Sequence, residues 1–152
     1  MPSKIKGKFS KILVAIDGSQ PSLDAAEYAV EMARKDAAQI IAVTVNRILL
    51  SSYGLATPEG EPKSPQDKEI KVESKERFAN LEQIAKQNNV ELKTELINSQ
   101  MSIDGTIIEY AESEDVDLII GTRGRSGFKK LLLGSIASAV VTYSPCPVMI
   151  VK

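Results

Sequence analysis

The chain has 152 residues, the size of one ordinary domain and enough to bury a full core without disulfides or a structural metal. Hydrophobic residues make up 43% and charged residues 26%, the balance of a soluble globular protein, and a net charge of -1 excludes a strongly basic nucleic-acid binder. One cysteine and no histidine exclude internal disulfides, imidazole zinc sites, and serine–histidine or cysteine–histidine catalysis.

Met1 to Phe9 carries Lys4, Lys6 and Lys8 with no apolar stretch of signal-peptide length behind them. Residues 1–9 read as a short flexible tail, and the chain as cytoplasmic. Lys11 to Ile16 is a continuous apolar run, which suits a strand covered on both faces of a parallel sheet. Asp17-Gly18-Ser19 ends it. A helix follows, with Ser19 or Ser22 as N-cap, Pro21 near its first turn, and Leu23, Ala26, Val30 and Ala33 at helical spacing. Gln39 to Val45 is a second buried strand. Residues 46–67 hold Gly54, Pro58, Gly60, Pro62 and Pro65 without periodicity, which predicts a long loop, mobile without a partner.

Lys68 to Gln87 is charged and helical, with Phe78, Leu81, Ile84 and Ala85 facing inward. Val90 to Ile97 alternates, which predicts a strand with one wet face at a sheet edge. A helix from near Ile103 uses Ile103, Ile107, Tyr110 and Ala111, and Val116 to Ile120 is a fourth strand. The acids Asp104, Glu109, Glu112, Glu114, Asp115 and Asp117 read as a solvated face rather than a metal cluster. Leu131 to Val151 is uncharged and long enough to span a bilayer, but Pro145 and Pro147 and its hydroxyl residues favour a buried helix and a buried strand. Ser135 to Ser144 is that helix, with Ile136, Ala139, Val140 and Tyr143 on one side. Val148 to Val151 is the last strand. Cys146, just before it, reads as a small buried thiol.

Strands alternating with helices specify an α/β fold: a doubly wound, five-stranded parallel sheet of order 3-2-1-4-5 with helices on both faces, in a single domain. Its switch point lies between the first and fourth strands, where ligands bind beyond the C-terminal strand ends. Asp17 and the residues after Ile120 should therefore face one crevice.

The segment Gly121 to Ser135 carries the chemistry. Gly121 and Gly124 can let the backbone approach a ligand, and Ser135 is placed to cap a helix whose first N–H groups form an anion site. Arg123, Arg125, Lys129 and Lys130 add positive charge, and no acid follows Gly121. On spacing alone, two readings of the glycines stand: tight turns, or a phosphate cradle. There is no Gly-x-x-x-x-Gly-Lys loop and no Gly-x-Gly-x-x-Gly after the first strand.

The pattern Gly-x2-Gly-x9-Gly-Ser, with Gly121, Gly124, Gly134 and Ser135 at its fixed positions, resembles the ATP-binding branch of the universal stress protein family. Lys11-Ile-Leu-Val-Ala-Ile-Asp-Gly-Ser19 and Ser144-Pro-Cys-Pro-Val-Met-Ile-Val151 extend the resemblance along the chain. The resemblance implies ATP, with Mg²⁺, held at the switch point. Asp17, with Ala15 beside it, would lie near the ribose or the metal, and the backbone of Val43 would meet the adenine edge. Gly121, Arg123, Gly124 and Arg125 would line the ribose and phosphates, and Gly134, Ser135, Ile136 and Ala137 would present the helix N-terminus to them. The chain departs from the family at Asn98–Ser102, where a glycine-containing turn is usual, and at Ala137, where a hydroxyl residue is common.

The resemblance and the apolar edge strand Val148-Met149-Ile150-Val151 together predict a homodimer through that strand, with no nucleic-acid or membrane partner. The function expected is an ATP-binding stress-response regulatory module with no catalytic residue. The alternatives are a slow ATPase and a nucleotide-free interaction protein.

Overall fold

A computed structural model describes residues 9–48, 65–123 and 133–152. Branched apolar residues without polar alternation must be covered on both faces, and the three central strands meet that condition. They are β1 (Lys11–Ala15), β2 (Gln39–Arg47) and β4 (Leu118–Thr122). The half-polar β3 (Glu91–Ser99) and the short β5 (Val148–Val151) take the two edges of a parallel sheet ordered β3-β2-β1-β4-β5. This is the expected order. The uncharged stretch near the C-terminus is α4 (Ser135–Tyr143) followed by β5, and no helix among the described residues is long and apolar enough to cross a membrane.

The helices divide between two core layers. α1 (Gln20–Asp36) and α2 (Pro65–Gln87) cover Ile12, Val14, Ile16, Ile40 and Ile120 with Ala26, Ala29, Val30, Phe78 and Leu81. On the opposite face, Leu13, Ile41, Val43 and Ile119 meet Ile107, Ala111 and Val140 of α3 (Ile103–Ser113) and α4. Ala25, Ala26, Ala29 and Ala33 give α1 a smooth inner stripe that lies close to the sheet, and Leu23 is only half-buried.

Several boundaries differ from the sequence reading. Phe9 is not free tail, since its N–H donates to Asp36 Oδ2 at 3.0 Å and its ring packs on the core. Asn46 and Arg47 continue β2 beside Asn98 and Ser99, and α2 starts at Pro65, so both ends of the expected loop belong to elements. Residues 49–64 of that loop, and 1–8 of the tail, lie outside the described residues. On α4 the buried pair is Ala137 and Val140, while Ile136 and Tyr143 are exposed. A helix that packs closely turns its small residues inward, so side-chain size misplaced this face.

The acidic series is not uniformly solvated. Glu114 bonds Lys93 Nζ at 2.8 Å, tying α3 to β3, and that ammonium holds the Glu114 carboxyl below the usual carboxylate range. Asp117 accepts the N–H groups of Ser10 and Lys11 at 2.8 and 2.9 Å, and its own N–H donates to the Lys11 carbonyl at 3.0 Å. One carboxylate thus fixes where β1 starts against β4. Asp117→Ala leaves two strand-end donors to water and should cost about 1–2 kcal/mol, as charge-assisted bonds at a partly wet site do. Urea denaturation should show a lower midpoint with an unchanged slope.

Candidate functional site at the switch point

The site follows from strand register. β1 and β4 run side by side only as far as Val14 and Ile120. Ala15 then stays with Val43 of β2, while Gly121 and Thr122 stay with Ile150 and Val151 of β5. The two central strands therefore part between Ala15 and Gly121. Side-chain alternation turns both residues toward the α3–α4 layer, as it does their neighbours Leu13 and Ile119. Both are small. A Cβ built at Gly121 meets no described atom within 4 Å, so the floor of the crevice opens there.

On the β1 side the chain turns through Asp17, Gly18 and Ser19. Asp17 is exposed, and its Oδ1 accepts from Ser19 N–H at 2.8 Å and Ser19 Oγ at 2.5 Å. Ser19 is the N-cap of α1, accepting from Ser22 N–H. Ser22 lies inside the helix rather than at its cap. Gly18 has φ +85, and a Cβ there would fall on the guanidinium of Arg77 from α2. Arg77 is thus a cation beside this turn that sequence reading did not identify.

On the β4 side, Arg123 accepts from Gly134 N–H at 2.6 Å through its carbonyl, which closes the base of the glycine segment. Gly124 and Arg125, and with them Lys129 and Lys130, lie outside the described residues. Gly134, not Ser135, is the N-cap of α4, and no side chain among the described residues caps the helix. Its φ of -64 is open to any residue, so this glycine is not required by backbone conformation. The first bond of the helix is Ser138 N–H to the Gly134 carbonyl at 2.9 Å. The N–H groups of Ser135, Ile136 and Ala137 stand ahead of that ladder. Ser135 is exposed, Ile136 is exposed, and Ala137 is buried.

Val43 sits too deep to read a ligand with its backbone. Its side chain is fully buried and its carbonyl accepts Ile16 N–H at 2.8 Å. In a parallel ladder, alternate residues aim both peptide groups at the same neighbour, so Val45 also faces the β1 side. β1 has no partner beyond Ala15, which leaves Val45 as the first β2 residue whose peptide groups point past its end. The signal available in the sequence was the length of β2, whose polar tail Asn46-Arg47 still pairs with β3.

The turn after β3 is built from hydroxyl groups instead of glycine. Ser99 Oγ accepts Met101 N–H at 3.0 Å, and Ser102 Oγ caps α3 at Gly105 N–H.

Comparisons with known proteins bear on the family and the fold. The universal stress protein family model matches residues 8–152. Universal stress protein MJ0531 of Methanocaldococcus jannaschii is 32% identical over 145 residues, spanning 95% of this chain and 82% of its own length. YxiE of Bacillus subtilis is 33% identical over 149 residues, spanning 95% and 99%. Among solved structures, MJ0577 of M. jannaschii has the same fold with a TM-score of 0.77 at 22% identity, covering 95% of this chain and 96% of that one. An Archaeoglobus fulgidus universal stress protein in complex with dAMP has a TM-score of 0.68 at 21% identity, covering 95% and 99%. An Arabidopsis thaliana member with AMP bound has a TM-score of 0.66 at 16% identity, covering 94% and 91%.

The Gly18 conformation makes a direct prediction. Gly18→Ala forces a side chain into a left-handed backbone, at about 1–2 kcal/mol, and must also displace Arg77. The variant should melt several degrees below the parent in calorimetry, and an unchanged melting temperature would contradict the turn geometry.

Proposed function

The chain belongs to the universal stress protein family, and from that membership and the crevice between β1 and β4 we propose that it is an adenine-nucleotide-binding regulatory module whose ligand is ATP with Mg²⁺. The observation that carries the reading is the parting of the two central strands at Ala15 and Gly121, beside an α4 N-terminus that no side chain among the described residues caps. Relatives of the same fold hold dAMP and AMP.

The polarity of the crevice orients the ligand. Asp17, at the β1 end, is a carboxylate and only accepts hydrogen bonds, so it suits ribose hydroxyls and repels phosphate. The β4 end offers the N–H groups of Ser135, Ile136 and Ala137 with Arg123 nearby, and a helix N-terminus favours anions. The nucleoside therefore lies toward β1 and the phosphates toward α4. The base edge is assigned to the backbone of Val45, in place of Val43. Ala15 and Gly121 supply the floor, and Gly124 and Arg125, which lie outside the described residues, are assigned to the phosphates on the family pattern alone.

Mg²⁺ would enter with the phosphates. Among the described residues no group of three or more acidic, cysteine or histidine side chains could hold a metal ion. At the α4 end the ion would take its ligands from phosphate oxygens and water, as Mg²⁺ bound with a nucleotide largely does. Hydrolysis would need a residue orienting water at the γ-phosphate. Asp17 stands at the nucleoside end, so binding and readout, not turnover, is the assigned role.

A second copy of the chain is the proposed partner at β5. Its four residues Val148, Met149, Ile150 and Val151 are half-buried in the single chain, and its outer edge is a template for another strand. Light scattering at micromolar concentration should give twice the chain mass, falling to one chain mass in Ile150→Lys.

Calorimetric titration with Mg·ATP tests the site. Gly121→Val should fold, because the added atoms enter open space, but should abolish binding by filling the crevice. Gly134→Val should do the same through ligand volume alone, its backbone being permissive. Ser135→Ala should leave stability within about 0.5 kcal/mol, since Ser135 is not the cap, and weaken binding about tenfold at most. A folded Gly121→Val chain that binds like the parent, or a parent that ignores millimolar ATP, overturns the assignment.

A further inference from the structure

The core of the described residues buries three polar side chains, Ser22, Thr44 and Thr106, and two of them converge on one peptide unit. Thr44 Oγ1 donates to the Ile16 carbonyl at 2.8 Å. Asp17 N–H, the other half of the same peptide plane, donates to Ser22 Oγ at 3.4 Å. Ser22 Oγ in turn donates to the Ser19 carbonyl at 2.9 Å, and Ile16 N–H is held by Val43. Thr44 is 5% exposed and Ser22 2%. Water therefore has little access to replace either hydroxyl, and a buried polar group left without a partner is costly.

We infer that Thr44 and Ser22 are positioning residues for the ligand: hydroxyls from β2 and α1 pin the Ile16–Asp17 peptide and so aim the Asp17 carboxylate into the crevice. The inference rests on the proposed nucleotide-binding reading and deepens it. Its physical basis is the switch point itself. Past Ala15, β1 has lost β4, and β2 alone holds Ile16, its N–H through the Val43 carbonyl and its carbonyl through the Thr44 hydroxyl. A threonine inside the otherwise apolar run Ile40-Ile41-Ala42-Val43 to Val45 is the residue that supplies the second of these bonds. It reaches sideways from β2 without interrupting the strand. The turn beyond then closes on itself, because Ser19 bonds the Asp17 carboxylate through both N–H and Oγ. The fixed peptide plane at its base and the two Ser19 bonds together restrain that carboxylate.

The test is a double-mutant cycle on Mg·ATP affinity with parent, Thr44→Val, Asp17→Ala and the double variant. Thr44→Val keeps the volume and removes the hydroxyl. Each single change should weaken binding about tenfold, and the double variant should be within about twofold of Asp17→Ala alone. Thr44→Ser should restore most of the affinity. Thr106→Val, which removes the third buried hydroxyl, one bonded to Ser99 and Ser102 and not to the Ile16–Asp17 peptide, should lower stability and leave affinity unchanged. In nucleotide-free protein, the Asp17 amide of Thr44→Val should exchange about tenfold faster, with the amides of Leu13 and Ile41 unaffected. Additive losses in the cycle, or an unchanged Asp17 amide, overturn the inference while the nucleotide reading stands. A parent that binds no nucleotide overturns both. Should Thr44→Val fail to fold, Ser22→Ala runs the same cycle from the α1 side.

Discussion

A strand in the middle of a parallel sheet satisfies its peptide groups on both sides only while both neighbours keep pace with it. In this chain β1 keeps β4 as far as Val14 and β2 one residue further, and each of the two central strands then follows its outer neighbour. The structure around the crevice answers that single loss of pairing. The Ile16–Asp17 peptide turns to buried hydroxyls, and Gly18 takes a left-handed conformation to redirect the chain into α1. Among the described residues, no atom comes within 4 Å of a Cβ at Gly121, and no side chain caps α4. A sheet whose strands all ended level would need none of these features and would present no cleft.

The chain separates its charges along the sequence. After Asp117 there is no further acid, whereas Arg123, Arg125, Lys129, Lys130 and Lys152 all follow it. The acidic residues near the end of α3 are occupied at the other end of the sheet. Glu114 holds Lys93, and Asp117 holds the start of β1. Carboxylates are thus spent where β1 begins, and hydrogen-bond donors collect where β4 ends. Parallel strands place those two positions at opposite ends of the same sheet, which keeps the acids about five residues, or roughly 15 Å, from the donors.

Strand order was readable because each strand advertises its surroundings. The unbroken apolar runs of β1, β2 and β4 need cover on both faces, and the alternation of Val90 to Ile97 needs water on one. What the sequence could not convey is stagger. A buried parallel strand has similar residues at successive positions, so nothing local distinguishes Val43 from Val45. On the proposed reading the choice depends on where β1 stops relative to β2, which the ladder ending at Ala15 and Val43 defines and no single residue announces. The cap of α4 failed for a related reason. Serine is a good cap wherever it stands, but a bond between Gly134 N–H and the Arg123 carbonyl sets where the helix begins. The inner face of α4 was misjudged because Ile136 and Tyr143 are larger than Ala137, while packing distance favours the smaller residue.

A regulatory module needs its ligand to alter a surface that another molecule can read. One strand, β4, separates the crevice from β5 and the sheet's outer edge. Gly121, at the open floor, is the ladder partner of Ile150, and Thr122 that of Val151. Neighbouring strands lie about 4.8 Å apart and share their peptide hydrogen bonds. On the proposed reading, any adjustment of Gly121 to a nucleotide is therefore made against the strand whose far side is free to pair with a second chain. Pairing at that edge would in turn restrain β5 and, through the same ladder, the seat of Gly121. Binding and assembly would then be linked in both directions by equal factors, as thermodynamic reciprocity requires. The linkage asks for no distant conformational relay, because the two sites are the two sides of a pair of strands.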